Sequence, residues 1–145
     1  MANVQTIAPA PMPVAAPAAI GNQKVILVVE DDPFLSNLII TRLQKVGLAT
    51  LKAMTGEEAL QFLREEKKPD LILLDIILPE KTGFEVLEEI QADPSLQKAP
   101  VIITSNLGQE SDIKRGKELG VIDYFVKART PIDELVAKVK AAVGA

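Results

Sequence analysis

At four places in the chain an ionisable or hydroxyl side chain closes a short apolar run. Glu30, Asp31 and Asp32 follow "KVILVV", Asp75 follows "DLILL", Ser105 ends "PVIITS" and Lys127 ends "VIDYFVK". An ionised carboxylate in apolar surroundings costs several kcal/mol unless something pairs with it, so Asp75, alone in "LILLDIILPE", needs a partner. Three acids in a row repel one another, and a fourth brought close worsens this, which calls for a cation. All the available ligands are oxygens, which suits a hard ion such as Mg²⁺, octahedral and partly hydrated. Lys127 would add a fixed positive charge and Ser105 a hydroxyl. Such a set can hold a phosphoryl group: the cation and Lys127 neutralise its oxygens, Ser105 donates a hydrogen bond, and a carboxylate attacks phosphorus.

Taken singly, these residues have plainer readings. Asp32 precedes Pro33, which favours a helix N-cap over metal binding. Lys127 could be a strand-end lysine laying its stem along apolar surface, and Ser105 a loop-starting serine. It is the combination, at successive strand ends, that points to chemistry.

Composition narrows the classes further. With 145 residues, 48% hydrophobic and 25% charged, the chain is one domain's worth and can bury a core. No apolar run approaches the roughly 18 residues needed to cross a bilayer, so no membrane span is expected. The absence of Cys and His removes thiol nucleophiles, imidazole bases and the usual zinc ligands. It also excludes a disulfide framework and fits a reducing, cytoplasmic setting. A net charge of −4 argues against a nucleic-acid surface.

The elements that must position these residues follow from periodicity. Residues 1–23 carry no charged side chain, and the Ala/Pro alternation of "APAPMPVAAPAAIG" forbids a continuous helix, so this stretch is read as a flexible tail ahead of a domain over 24–145. From Lys24 onward, apolar runs alternate with helical patterns predicted at Pro33 to Val46, Glu57 to Glu66, Gly83 to Ala92, Ser111 to Leu119 and Pro131 to Val143. In the last of these, Ile132, Leu135, Val136, Val139 and Val143 share one face. Helix starts are marked at Asp32–Pro33, Thr55, Thr82 and Thr130–Pro131. Strands apolar on both faces and separated by helices predict a doubly wound α/β fold with a five-stranded parallel sheet, whose ligands bind beyond the carboxyl ends of the strands.

The segments "ILVVEDDP", "LILLDIILPEKTGFEVLEEI", "PVIITSN" and "DYFVKA" resemble the motifs of the response-regulator receiver domain, in order, over Lys24 to Val143. The resemblance implies a flavodoxin-like fold with strand order 2-1-3-4-5 and makes Asp75 the phospho-acceptor. It implies that Glu30, Asp31, Asp75 and the Ile77 carbonyl hold Mg²⁺, that Ser105 is the switch hydroxyl, Tyr124 the switch aromatic and Lys127 the phosphate-contacting lysine. Asn106 stands where the family usually carries Ala or Gly, and Ala128 where it commonly carries proline. Implied partners are a histidine kinase or histidine phosphotransfer protein as donor, and a downstream protein bound through the face of the fourth helix, fifth strand and fifth helix. The domain would signal as a stand-alone unit, a monomer or a phosphorylation-dependent dimer, without direct nucleic-acid or membrane contact.

Other readings fit less well. An aspartyl-phosphate phosphatase of the haloacid dehalogenase type would place a second acid two residues after the nucleophile, where this chain has Ile77. An FMN carrier would need a first loop that cradles phosphate, which "EDD" would repel. A phosphorylation-independent interaction domain on the same fold leaves the complete acid, hydroxyl and lysine set unexplained.

Overall fold

Short runs of β-branched and leucine residues form the strands, and the 3.6-period segments between them form the helices, in strict alternation. The computed structural model describes residues 23–65, 68–96 and 98–145. The tail expected over 1–23 lies outside these except for Gln23, and so does Glu66 at the expected end of the second helix. The elements are β1 (Val25–Val29), α1 (Pro33–Lys45), β2 (Ala49–Ala53), α2 (Gly56–Arg64), β3 (Leu71–Leu74), α3 (Gly83–Ala92), β4 (Val101–Ser105), α4 (Glu110–Glu118), β5 (Asp123–Val126) and α5 (Ile132–Ala142). A 3₁₀ turn, Lys127–Arg129, joins β5 to α5.

All the strand pairings are parallel, and the sheet runs β2-β1-β3-β4-β5, the order expected. Alternation within each strand sends side chains to two cores. Leu27, Val29, Ile72, Leu74, Ile103 and Tyr124 face the layer that contains α2 and α3. Ile26, Val28, Leu71, Leu73, Ile102 and Phe125 face α1 and α5, where they meet Ile39, Leu43, Leu135, Val136 and Val139. Strand β2 departs from the expectation of strands apolar on both faces: it is an edge strand, with Ala49 to Leu51 half-buried and Lys52 exposed. An edge strand has one neighbour, and a charged residue there guards the free edge.

The predicted caps hold at three helices. Asp32 Oδ1 accepts from the Phe34 and Leu35 amides at 3.0 and 3.3 Å. Thr55 Oγ1 accepts from the Glu58 amide, and Thr82 with Glu85 forms a reciprocal capping box. The fourth differs. Helix α5 begins at Ile132, and Pro131 occupies the cap position with φ −60° and ψ 147° and no side-chain cap. Because the helix starts one residue later than marked, Thr130 lies ahead of the cap position, extended at φ −120° and ψ 112°.

Candidate functional site

The register of the sheet assembles the site. Val29 of β1 lies beside Leu74 of β3, so the next residue in each strand, Glu30 and Asp75, emerge together at the carboxyl edge. Both keep a sheet-type backbone bond there: the Asp75 amide donates to the Val29 carbonyl and the Glu30 amide to that of Ala53, each at 3.0 Å. Backbone fixed in this way leaves little freedom in where the two carboxylates point. Carboxylate oxygens of Glu30, Asp31 and Asp75 lie within 4.8 Å of one another, the one such acidic cluster among the described residues.

Lys127 closes the cluster from the far side of the sheet. Its Nζ is 2.9 Å from Asp75 Oδ2 and 2.7 Å from Glu30 Oε1. Asp75 is 3% exposed and Glu30 2%, so both acids are nearly dry. Burial pushes the Glu30 carboxyl above its ordinary range; Lys127 opposes this and Asp75 adds to it. Burial would lower the Lys127 ammonium, but the bonds to Glu30 and Asp75 outweigh it and hold it above its ordinary value. One lysine faces three carboxylates, which leaves net negative charge in an oxygen-lined pocket. That donor set fits a hard divalent cation.

Of the remaining predicted residues, Ile77 and Asp32 touch this cluster through their amides, whereas Ser105 and Tyr124 bond to Leu107. The Ile77 amide donates to Asp75 Oδ1 at 3.3 Å, while its side chain is 56% exposed. Asp32 points away to its cap, and its amide donates to Glu30 Oε2 at 3.1 Å. Ser105 is fully buried at the end of β4, its Oγ accepting from the Leu107 amide at 3.2 Å. Tyr124 lies inward, 8% exposed, with its hydroxyl donating to the Leu107 carbonyl at 2.6 Å. Burial, then the charge of Asp112, raises the Tyr124 phenol. The Lys127–Ala128 peptide bond is trans.

Two supporting features escaped the sequence reading. Gly83 opens α3 directly over Asp75: a Cβ there would stand 2.3 Å from the Asp75 carbonyl oxygen and 2.9 Å from Ile76 Cα. The "TG" at the helix start was legible as a cap, but the close approach was not. Glu80 adopts φ 68° in the turn before α3, bridged by a bond from the Lys81 amide to the Pro79 carbonyl. Nothing local in "LPEKTG" signals a left-handed glutamate.

A doubly wound sheet of order 2-1-3-4-5 with acids, a hydroxyl and a lysine at its carboxyl edge defines a class, and comparison with known proteins places the chain in it. The profile of the response regulator receiver domain matches residues 26–140, and the chain belongs to that family. It is 36% identical over 118 residues to the probable transcriptional regulator ycf27 of Guillardia theta, covering 81% of this chain and 44% of that protein. The chain spans about half the length of several curated relatives of this kind. PilH of Pseudomonas aeruginosa is nearer in size, 37% identical over 109 residues, 75% of this chain and 87% of that one. Among solved structures, the Francisella response regulator 1452 receiver domain superposes with a TM-score of 0.76 at 30% identity, over 84% of this chain and 98% of that one. The Mn²⁺-bound form of response regulator Rcp1 gives 0.69 at 32%, over 81% and 92%. The chain is thus a receiver domain, a phospho-accepting signalling module of a kind that binds a divalent cation in its acidic pocket. No helix among the described residues is long and apolar enough to cross a membrane.

Proposed function

We propose that Asp75 is the phospho-acceptor of this domain, which we set at residues 24–145 behind a tail at 1–23. The observation that carries this reading is the placement of one buried carboxylate between the Lys127 ammonium at 2.9 Å and the acids Glu30 and Asp31. In the transfer, an Asp75 oxygen attacks phosphorus, an acyl phosphate forms, and the bond from phosphorus to the donor breaks, the electron pair leaving with the donor. The donor is the imidazole of a histidine kinase or histidine phosphotransfer protein, or a small phosphodonor. Glu30, Asp31, Asp75 and the Ile77 carbonyl would hold Mg²⁺, which supplies neutralisation of charge on the phosphoryl oxygens. Lys127 stays protonated to pair with one of those oxygens. Ser105 and Tyr124 act as the switch, changing the face made by α4, β5 and α5 for a downstream partner or a second copy of the chain. The setting is cytoplasmic, where such donors would reach it.

Intact-mass measurement after incubation with acetyl phosphate and Mg²⁺ tests the reading. The wild type should gain one phosphoryl group and Asp75→Ala none. A wild type that gains no mass would overturn it in favour of a phosphorylation-independent binding domain.

A further inference from the structure

Helix α4 rests on few buried groups. Within Glu110–Glu118 only Gly116 is fully buried, and the apolar anchors are the half-buried Ile113 and, just past the helix end, Leu119. Two consecutive residues add specific contacts on either side. The Arg115 guanidinium carbon stands 4.4 Å from the centroid of the Phe84 ring in α3. Gly116 faces β4 and β5: a Cβ there would come within 3.0 Å of Ile103 Cδ1 and 3.1 Å of Tyr124 Cδ2, so the tyrosine ring lies against bare helix backbone. The same tyrosine reaches the Leu107 carbonyl in the loop that leads into α4. Phe84 in turn follows Gly83, whose backbone abuts the Asp75 carbonyl. A continuous line of contact therefore runs from Asp75 through the start of α3 to Arg115, and from Gly116 to Tyr124.

We propose that Arg115 is a positioning residue that seats α4: clamped on Phe84, it holds the Gly116 backbone against the Tyr124 ring and keeps that ring inward. The inference rests on the reading of Tyr124 as the switch aromatic, and it adds a second route to the acceptor, through α3, beside the one through Ser105. A planar, weakly hydrated guanidinium is attracted to an aromatic face, and Phe84, 4% exposed, offers a ring already desolvated on its other side. The ion pair from Arg115 to Glu88, at 3.5 Å between half-exposed groups, is screened by water and adds little. Without Arg115, α4 keeps its two apolar anchors, the packing of Gly116 and, at its C-terminal end, the bond from the Gln91 side-chain amide to the Leu119 carbonyl. A helix held so lightly lifts at low cost, and the tyrosine ring is freed with it.

The chain has one tyrosine and no tryptophan, so tyrosine fluorescence and its quenching by acrylamide report on Tyr124 alone. In the unphosphorylated full chain, Arg115→Ala should raise the quenching, with the ratio of buried to exposed ring falling about 2- to 5-fold, the population equivalent of an exposed cation–π contact. Phe84→Leu should do the same, and the double variant should go no further than either change alone. Arg115→Lys, which keeps the charge but loses the planar face, should fall between, and Glu88→Gln should match the wild type. Arg115 is half-exposed, so its variants are expected to fold, as circular dichroism will register, and they decide the matter even where Phe84→Leu does not fold.

Quenching of Arg115→Ala equal to wild type would overturn the proposal, and so would additive effects of Arg115→Ala and Phe84→Leu, or an effect of Glu88→Gln as large as that of Arg115→Ala. Phosphoryl uptake is read separately by mass. Uptake with unaltered quenching overturns the clamp alone. Altered quenching without uptake supports the clamp and overturns the acceptor assignment.

Discussion

The ammonium of Lys127 lies 2.9 Å from Oδ2 of Asp75, a residue 52 positions earlier in the chain, and 19% of the lysine side chain is exposed against 4% of the aspartate's. The pair is buried enough that neither partner can be removed cheaply. Lys127→Ala leaves Glu30 and Asp75 facing each other without a cation, so stability in EDTA should fall by about 3 kcal/mol, with part regained on adding Mg²⁺. Phosphorylation by acetyl phosphate should slow by ~10²-fold, since a charge aimed at the phosphoryl oxygens is lost. Urea melts with and without Mg²⁺, together with the rate of mass gain, measure both. A variant of wild-type stability in EDTA would show that the ion pair does not hold the site together.

Asp31 belongs to the acidic cluster and its neighbour Asp32 caps α1, and their asparagine variants should separate the two roles. Asp31→Asn should weaken Mg²⁺ binding, followed by calorimetry, at least tenfold by removing a charged oxygen from the cluster. Asp32→Asn keeps a good N-cap and should leave Mg²⁺ affinity nearly unchanged. EDTA should abolish phosphorylation of both variants and of the wild type. Equal losses of affinity would show the capping assignment to be wrong.

The Tyr124 phenol should titrate above its ordinary value of 10.0, because burial and then Asp112 disfavour the phenolate. A group whose value is raised on folding contributes stability that is fully present below the unfolded value and lost as pH climbs through the folded one. Phenolate absorbance of the folded chain should therefore show a midpoint above 10.0 that returns to the ordinary value in urea. Asp112→Asn should lower the folded midpoint part of the way. A folded midpoint at or below the unfolded one would contradict the buried, inward ring.

Gly83→Ala places a Cβ 2.3 Å from the Asp75 carbonyl oxygen, and backbone cannot rotate aside as a side chain can. Helix α3 must shift, at a cost of about 1–3 kcal/mol, and the Asp75 backbone shifts with it. Reduced stability in urea should accompany slower phosphoryl uptake at saturating Mg²⁺. Lost stability with uptake unchanged would mean that α3 yields and the acceptor does not.

The acyl phosphate should be long-lived. Hydrolysis needs a water held in line behind phosphorus, and neither Ile77 nor Leu107 offers it a polar group. Ile77 is 56% exposed beside Asp75, whereas Leu107 packs partly on the core and gives its carbonyl to Tyr124. Ile77→Asn with Leu107→Glu should speed decay after donor removal by about tenfold. Decay that is unchanged or slower in the double variant would refute the shielding argument.

Local features of the chain were enough to read the alternation of strands and helices, three of the four marked caps and the chemistry-bearing residues at four of the five strand ends. Those properties depend on a few neighbouring residues: the length of an apolar run, an Asp before a Pro, a Thr three residues ahead of a Glu. The strand order was legible only through resemblance to a family. What tertiary structure alone decided are the relationships between residues far apart. The register of β1 against β3 brings Glu30 beside Asp75, and the position of β5 delivers Lys127 to both. A bare glycine backbone over Asp75, a left-handed Glu80, an inward Tyr124 under Gly116 and an arginine seated on Phe84 each depend on how helices settle against the sheet. Sequence specifies which groups are present, but the distances between them are set by packing, and it is distance that turns four isolated side chains into one acidic pocket closed by a lysine.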